Sequence, residues 1–81
     1  MEQEYTLEYY DPSTLLVINK EGKIKILHTP FRVQCTVDGL SLPVHTTVYV
    51  DEVWSTEKDE LQYLIFGQLY SYKFFQLQIN F

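Results

Sequence analysis

Cysteine, glycine, proline and long apolar runs are all scarce in this chain, and each scarcity removes a class of protein. A single cysteine, Cys35, in 81 residues excludes an internal disulfide framework and gives no sign of an oxidising compartment. His28 and His45 complete the soft metal ligands, whereas structural zinc takes four Cys or His, commonly in close pairs. No metal and no cofactor is expected. Six Lys and Arg stand against eleven Asp and Glu, a formal charge of −5, so the nucleic-acid backbone, which is bound by neutralising phosphates, is a poor main partner. No apolar run approaches the length of a membrane span. The start, Met1 to Tyr5, has neither the basic nor the apolar region of a signal peptide, so a soluble cytoplasmic protein is the expectation.

What the chain has in quantity is apolar and aromatic side chain: 46% hydrophobic residues, with seven Tyr and five Phe. That excludes disorder and demands a packed interior. One domain spanning 1–81 is all this length can build. Its organising stretch is Thr47–Phe75, in which two apolar runs flank the acidic loop Ser55–Glu60. Leu61–Phe66 and Leu69–Tyr72 read as a hairpin with Gly67-Gln68 as its two-residue turn, opposing Ile65 to Tyr70 and Tyr63 to Tyr72. Both faces of the first run are apolar. Either Leu61, Tyr63 and Ile65 point inward, or Leu64 and Phe66 do; the losing set meets a second layer or stands exposed as a patch suited to dimerisation.

Period-two alternation recurs elsewhere. Gln3–Tyr10 sets Tyr5, Leu7 and Tyr9 against Glu4, Thr6 and Glu8. Thr14–Asn19 and Lys23–His28 form a hairpin around Asn19-Lys20-Glu21-Gly22, with Ile24 and Ile26 on one face and Lys23 and Lys25 on the other. Phe31–Val37 directs Phe31, Val33, Cys35 and Val37 inward, and Phe75–Phe81 alternates just as clearly. Asp38-Gly39 marks a short hairpin arm or bulged loop that ends by Pro43. In Thr47–Trp54, Val48 and Val50 share a face that Val53 does not, and a bulge near Asp51-Glu52 would bring all three into the core. Ser55 could cap a helical turn in the acidic loop, and Ser71-Tyr72-Lys73 suits a tight turn before the last strand. No stretch carries helical periodicity over ten residues.

Short strands with turn signals every eight to ten residues define an all-β fold, and the length favours a small barrel over a sandwich. The segment Phe31–Phe81, with about five core strands, a charged connection after Trp54 and a tight turn before the last strand, resembles the SH3-like small barrels. The resemblance implies a barrel of about five to seven antiparallel strands over 31–81, with residues 1–28 as an added N-terminal hairpin. The peptide-binding SH3 signature is absent: there is no Trp-Trp pair and no Pro-Ser-Asn-Tyr run. Proline-rich peptide binding is therefore not implied.

The residues with chemical potential read as structural. Cys35 sits mid-strand on an apolar face, where a thiol packs rather than reacts. The carboxylates at Glu2, Glu4, Glu8 and Asp11, and at Asp51, Glu52, Glu57, Asp59 and Glu60, form a solvated acidic face or a docking patch for a basic protein. Lys20, Lys23, Lys25 and Arg32 form a modest basic stripe. Tyr63, Tyr70, Tyr72, Phe74 and Phe75 have only Lys73 for company, and Trp54, beside the acidic loop, is either an exposed anchor or a cap on the barrel's end; the interface candidates are Trp54, Tyr63, Tyr70, Tyr72 and Phe74. They suit a protein interface better than the stacking platform of a single-stranded nucleic-acid binder, which interleaves aromatics with cations. The expected function is a non-enzymatic protein-interaction module with those five aromatics as its surface, a protein partner of basic character, and self-association as a further possibility. Single-stranded nucleic-acid binding and small-ligand binding stand as alternatives.

Overall fold

The structure, a computed structural model, describes residues 5–79. Among them the chain is all-β: nine strands and one 3-10 turn, arranged as three antiparallel three-stranded sheets. None of the three closes on itself. The first sheet has the order β1 (Tyr5–Asp11), β2 (Thr14–Asn19), β3 (Ile24–His28). The second has β5 (Thr47–Val50), β4 (Phe31–Cys35), β9 (Phe75–Leu77), and the third β6 (Glu52–Ser55), β7 (Leu61–Ile65), β8 (Gln68–Ser71).

The N-terminal segment is thus a three-stranded meander rather than a hairpin. Its strands start because Asp11 and Asn19 each close a turn with their own side chain. Asp11 Oδ1 accepts from the Ser13 amide at 2.9 Å, and Asn19 Oδ1 accepts from the Glu21 and Lys23 amides at 3.0 and 2.9 Å. Gly22, at φ 84°, supplies the left-handed residue of the second turn. The expected strand over Gln3–Tyr10 is β1 from Tyr5 onward; Gln3 and Glu4 lie outside the described residues. So do the last two residues of the expected strand Phe75–Phe81, of which Phe75–Leu77 pairs with β4.

The second and third sheets are joined by one bent strand. Val50 ends β5, Asp51 stands between, and the Asp51 N–H donates to the Leu64 carbonyl at 2.8 Å as β6 begins. This is the bulge that the alternation of Val48, Val50 and Val53 requires, and all three valines are buried. The core they join draws on every sheet: Leu15 and Val17 from the first, Phe31, Val33, Cys35, Phe75 and Leu77 from the second, Leu61, Tyr63 and Ile65 from the third. Leu42 plugs it from the loop over residues 36–46, which forms no strand at Leu40–Leu42. An Tyr5 hydroxyl accepting from the Leu77 amide at 3.2 Å ties the first strand to the last.

At Gly67 the register differs from the expected one by one residue on each strand. The turn residues are Phe66 and Gly67, both at positive φ (50° and 76°), and Ile65 opposes Gln68, Leu64 opposes Leu69 and Tyr63 opposes Tyr70. A two-residue turn with both central residues left-handed matches the twist of a hairpin, and glycine is most favoured at its second position. The acidic loop is a connection without a helix, as its length requires. Thr56, not Ser55, organises it: Thr56 Oγ1 accepts from the Lys58 and Glu60 amides at 3.3 and 3.1 Å, and the Thr56 amide donates to the Glu60 carbonyl at 2.9 Å. No helical turn forms there.

Candidate functional site

The alternation of β7 resolves in favour of Leu61, Tyr63 and Ile65, all buried. The opposite face of the third sheet therefore looks outward. Pairing places Trp54 opposite Gln62, and Glu52 opposite Leu64, which in turn opposes Leu69. Trp54 is 46% exposed, Leu69 49% and Phe66, at the hairpin tip, 75%, with Leu64 half-buried between strands. The Trp54 indole N–H donates to Glu52 Oε1 at 3.1 Å, which lays the ring along β6 toward the Leu64 row. A sheet face carrying exposed tryptophan and leucine beside a half-buried leucine, with an exposed phenylalanine at its tip, has the composition of a contact surface. Glu52 and exposed Asp51 give its rim a negative charge.

The five aromatics singled out from the sequence do not share this face. Trp54 does. Tyr63 is 1% exposed and lies in the core against Phe31 and Phe75, with ring centroids at 5.7 and 6.0 Å, so it cannot serve as a surface anchor. Burial pushes its hydroxyl well above the ordinary tyrosine value, with Tyr5 and Tyr72 adding to the shift. Tyr70 packs edge-on against Phe75 at 5.8 Å, and its hydroxyl is taken up by Ser41 Oγ at 2.6 Å and Gln68 Oε1 at 2.8 Å. Phe74 and Tyr72 belong to the 3-10 turn Tyr72–Phe74, whose cap is Ser71 Oγ accepting from the Lys73 amide at 3.3 Å; both are half-buried against the core. Leu64 and Phe66 are the set that the sequence leaves outward once Leu61, Tyr63 and Ile65 are inside, whereas Leu69 was not singled out because the turn is displaced. A glycine read as the second turn residue rather than the first would have put Phe66 at the tip.

The basic stripe is also dispersed. Lys20 and Lys23 belong to the β2–β3 connection and Lys25 to β3, whereas Arg32 lies on β4 in another sheet. Cys35 is fully buried, its thiol donating to the Val37 carbonyl at 3.3 Å. Among the described residues no three His, Cys, Asp or Glu are grouped as a metal ion would need. No helix among them is long and apolar enough to cross a membrane.

A second outward apolar face lies on the first sheet. Ile18 opposes Ile24 and Leu16 opposes Ile26; the two isoleucines of β3 are 62% and 55% exposed. They point outward because Leu15 and Val17, which alternate with Leu16 and Ile18 along β2, occupy the core face with Leu27 and Lys25 opposite. Comparison of the chain with protein-family models, with curated proteins and with solved structures gives no match.

Proposed function

We propose that this chain is a non-enzymatic protein-interaction module whose contact surface is the outward face of β6–β7–β8. One observation carries the reading: Trp54 and Leu69 stand exposed on one sheet face with Leu64 among them and the indole fixed by Glu52, and Phe66 stands exposed at the hairpin tip. Aromatic side chains on a rigid sheet bring large contact area at small cost in conformational entropy, the property that makes them anchors of protein interfaces. The carboxylates of Asp51 and Glu52 beside them favour a partner of basic character.

For the architecture, the reading is an SH3-like arrangement with the first three strands added to it. Two features support this: the chain passes from the second sheet into the third through the bend at Asp51 without a loop, and a capped 3-10 turn leads into the last strand, β9.

The test is affinity capture of the tagged chain from its native lysate, with and without nuclease, beside the Trp54→Ala and Leu69→Ser variants. The expected result is a discrete partner set indifferent to nuclease and lost from both variants, which keep the parent's circular dichroism. Partners retained by both variants would overturn the assignment of the face. Partners released by nuclease would overturn the reading in favour of a nucleic-acid complex.

A further inference from the structure

Away from the Trp54 face, β1 is an edge strand of the first sheet. The Asn19 amide donates to the Lys23 carbonyl at 3.0 Å, so Asn19, and by alternation Val17 and Leu15, turn their peptide groups toward β3. Ile18 and Leu16 then turn theirs toward β1, where they oppose Thr6 and Glu8. It follows that Leu7 and Tyr9 present their N–H and C=O groups away from the sheet. No hydrogen bond takes up these groups among the described residues. An unpaired strand edge of this kind is a template for a further strand.

The edge faces a groove rather than open water. At one end β1 is tied to the third sheet, where the Val53 N–H donates to the Pro12 carbonyl at 2.8 Å. By Ser55 the two have separated, and the gap holds two adjoining hollows of about 290 and 340 Å³ that share Leu7, Asp59 and Leu61. Together the hollows touch every residue from Tyr5 to Tyr9. Successive residues of a strand point to opposite faces, so a groove lined by five in a row follows the backbone edge itself.

The chemistry of the walls selects the occupant. Leu7, Leu61, Tyr5 and Tyr72 supply an apolar floor, while Glu8 and Asp59 are the charged side chains of the lining, with neither Lys nor Arg among the described lining residues. Asp59 sits at φ 58°, its N–H donating to the Thr56 carbonyl at 2.9 Å. Glu57 and Glu60 extend the same loop, Glu60 with Lys73 4.0 Å away. We propose that this groove receives an extended peptide of a partner protein as an added strand on β1, with alternate apolar side chains on Leu7 and Leu61 and the intervening Lys or Arg side chains beside Glu8 and Asp59. Main-chain pairing to Leu7 and Tyr9 supplies affinity, and the alternation of apolar floor and acidic rim supplies selectivity. The site is separate from the face of Trp54 and stands or falls without it.

The probe is a fluorescein-labelled acetyl-(Lys-Val)₃-Lys-amide peptide, read by anisotropy, with amide hydrogen exchange of the complex as the second readout. The expected result is saturable binding with protection gained at the Leu7 and Tyr9 amides. Affinity should fall about fivefold in the double variant Glu8→Gln, Asp59→Asn, in keeping with two partly exposed ion pairs, and stay unchanged in Trp54→Ala. The same peptide carrying N-methyl groups at alternate backbone nitrogens should fail to bind. Four outcomes would overturn the proposal: no binding at about 1 mM peptide, a concentration that leaves only affinities too weak for a specific site; equal binding of a Glu-Val peptide; protection at Ile24 and Ile26 of the β3 edge instead of β1; or sedimentation showing that a second copy of the chain fills the groove and excludes the peptide.

Discussion

The ring of Tyr63 meets Phe31 edge-on, with centroids 5.7 Å apart and planes at 87°. This contact joins the third sheet to the second, and Phe75, 6.0 Å from Tyr63 on another side, completes the aromatic centre of the core. Large aromatics in a centre of this kind are the costliest to truncate. Tyr63→Ala should destabilise the fold by about 3–5 kcal/mol, a large part of the roughly 5–15 kcal/mol available to a small domain. Tyr63→Phe, which keeps the ring, should cost less than about 1.5 kcal/mol. Urea denaturation followed by tyrosine and tryptophan fluorescence measures both.

Alkaline stability should depend on the same residue. Burial raises the Tyr63 hydroxyl above its ordinary value of 10.0, and Tyr5 is raised too, by burial against a smaller opposing effect of the Leu77 amide. A group whose folded-state value lies above its unfolded one contributes stability that is complete below the unfolded value and is lost as pH rises past it. The chain should therefore hold its stability up to about pH 10 and lose it above, with Tyr63→Phe losing less over the same range. Thermal melts on either side of pH 10, with tyrosinate absorbance, check this; an identical alkaline loss in parent and variant would refute it.

Acid should act through Asp11. Burial works to raise its carboxyl, but bonds from the Ser13 amide, the Thr14 side chain and the Ser13 hydroxyl, with the charge of His28, outweigh it and hold the group below 3.8. The sign is the reverse of the tyrosine case: this contribution is present above pH 3.8 and lost as pH falls through the folded-state value. Asp11→Asn should lower stability at neutral pH and flatten its decline in acid. Melting temperature measured from neutral to acid pH in parent and variant reads both effects.

Phe66 offers a test that separates stability from binding. It holds φ 50° at the tip of the β7–β8 hairpin with its ring 75% exposed, a conformation that a bulky side chain adopts at a cost and asparagine adopts readily. Phe66→Asn should raise stability by about 1 kcal/mol while weakening partner capture if the ring is an anchor of the Trp54 face. A variant that gains stability and keeps all its partners would leave Phe66 without a part in that surface.

How far these features could be read in advance differs from residue to residue. Cys35 could be placed in the core because its neighbours Val33 and Phe31 recur at period two, a local property of any half-buried strand. The bend at Asp51 was legible for the same reason: Val48, Val50 and Val53 can share a core only if one residue is added between them. The hairpin at Gly67 was legible as a hairpin but not in its register, since moving the turn by one residue shifts the pairing by two and leaves every side chain on its own face, and the left-handed pair Phe66-Gly67 decides between the two registers.

What the amino-acid sequence determined by itself is the all-β class, the places where the chain turns and the residues that alternate, because these follow from side-chain period and turn chemistry within a few residues. Where the pattern allows either face, the fold settled which side of the strand lies inside, as it did for Leu61, Tyr63 and Ile65 over Leu64 and Phe66. Ile24 and Ile26 face water although their pattern matches that of any buried strand, because Leu15 and Val17 on the adjacent strand claim the core face. Trp54 and Tyr63, both aromatic and separated by a charged loop, part to opposite faces of one sheet. The groove along β1 exists only because Pro12 meets Val53 while the chain beyond Ser55 turns away. Each of these depends on pairings between segments distant in sequence, and no local pattern encodes them.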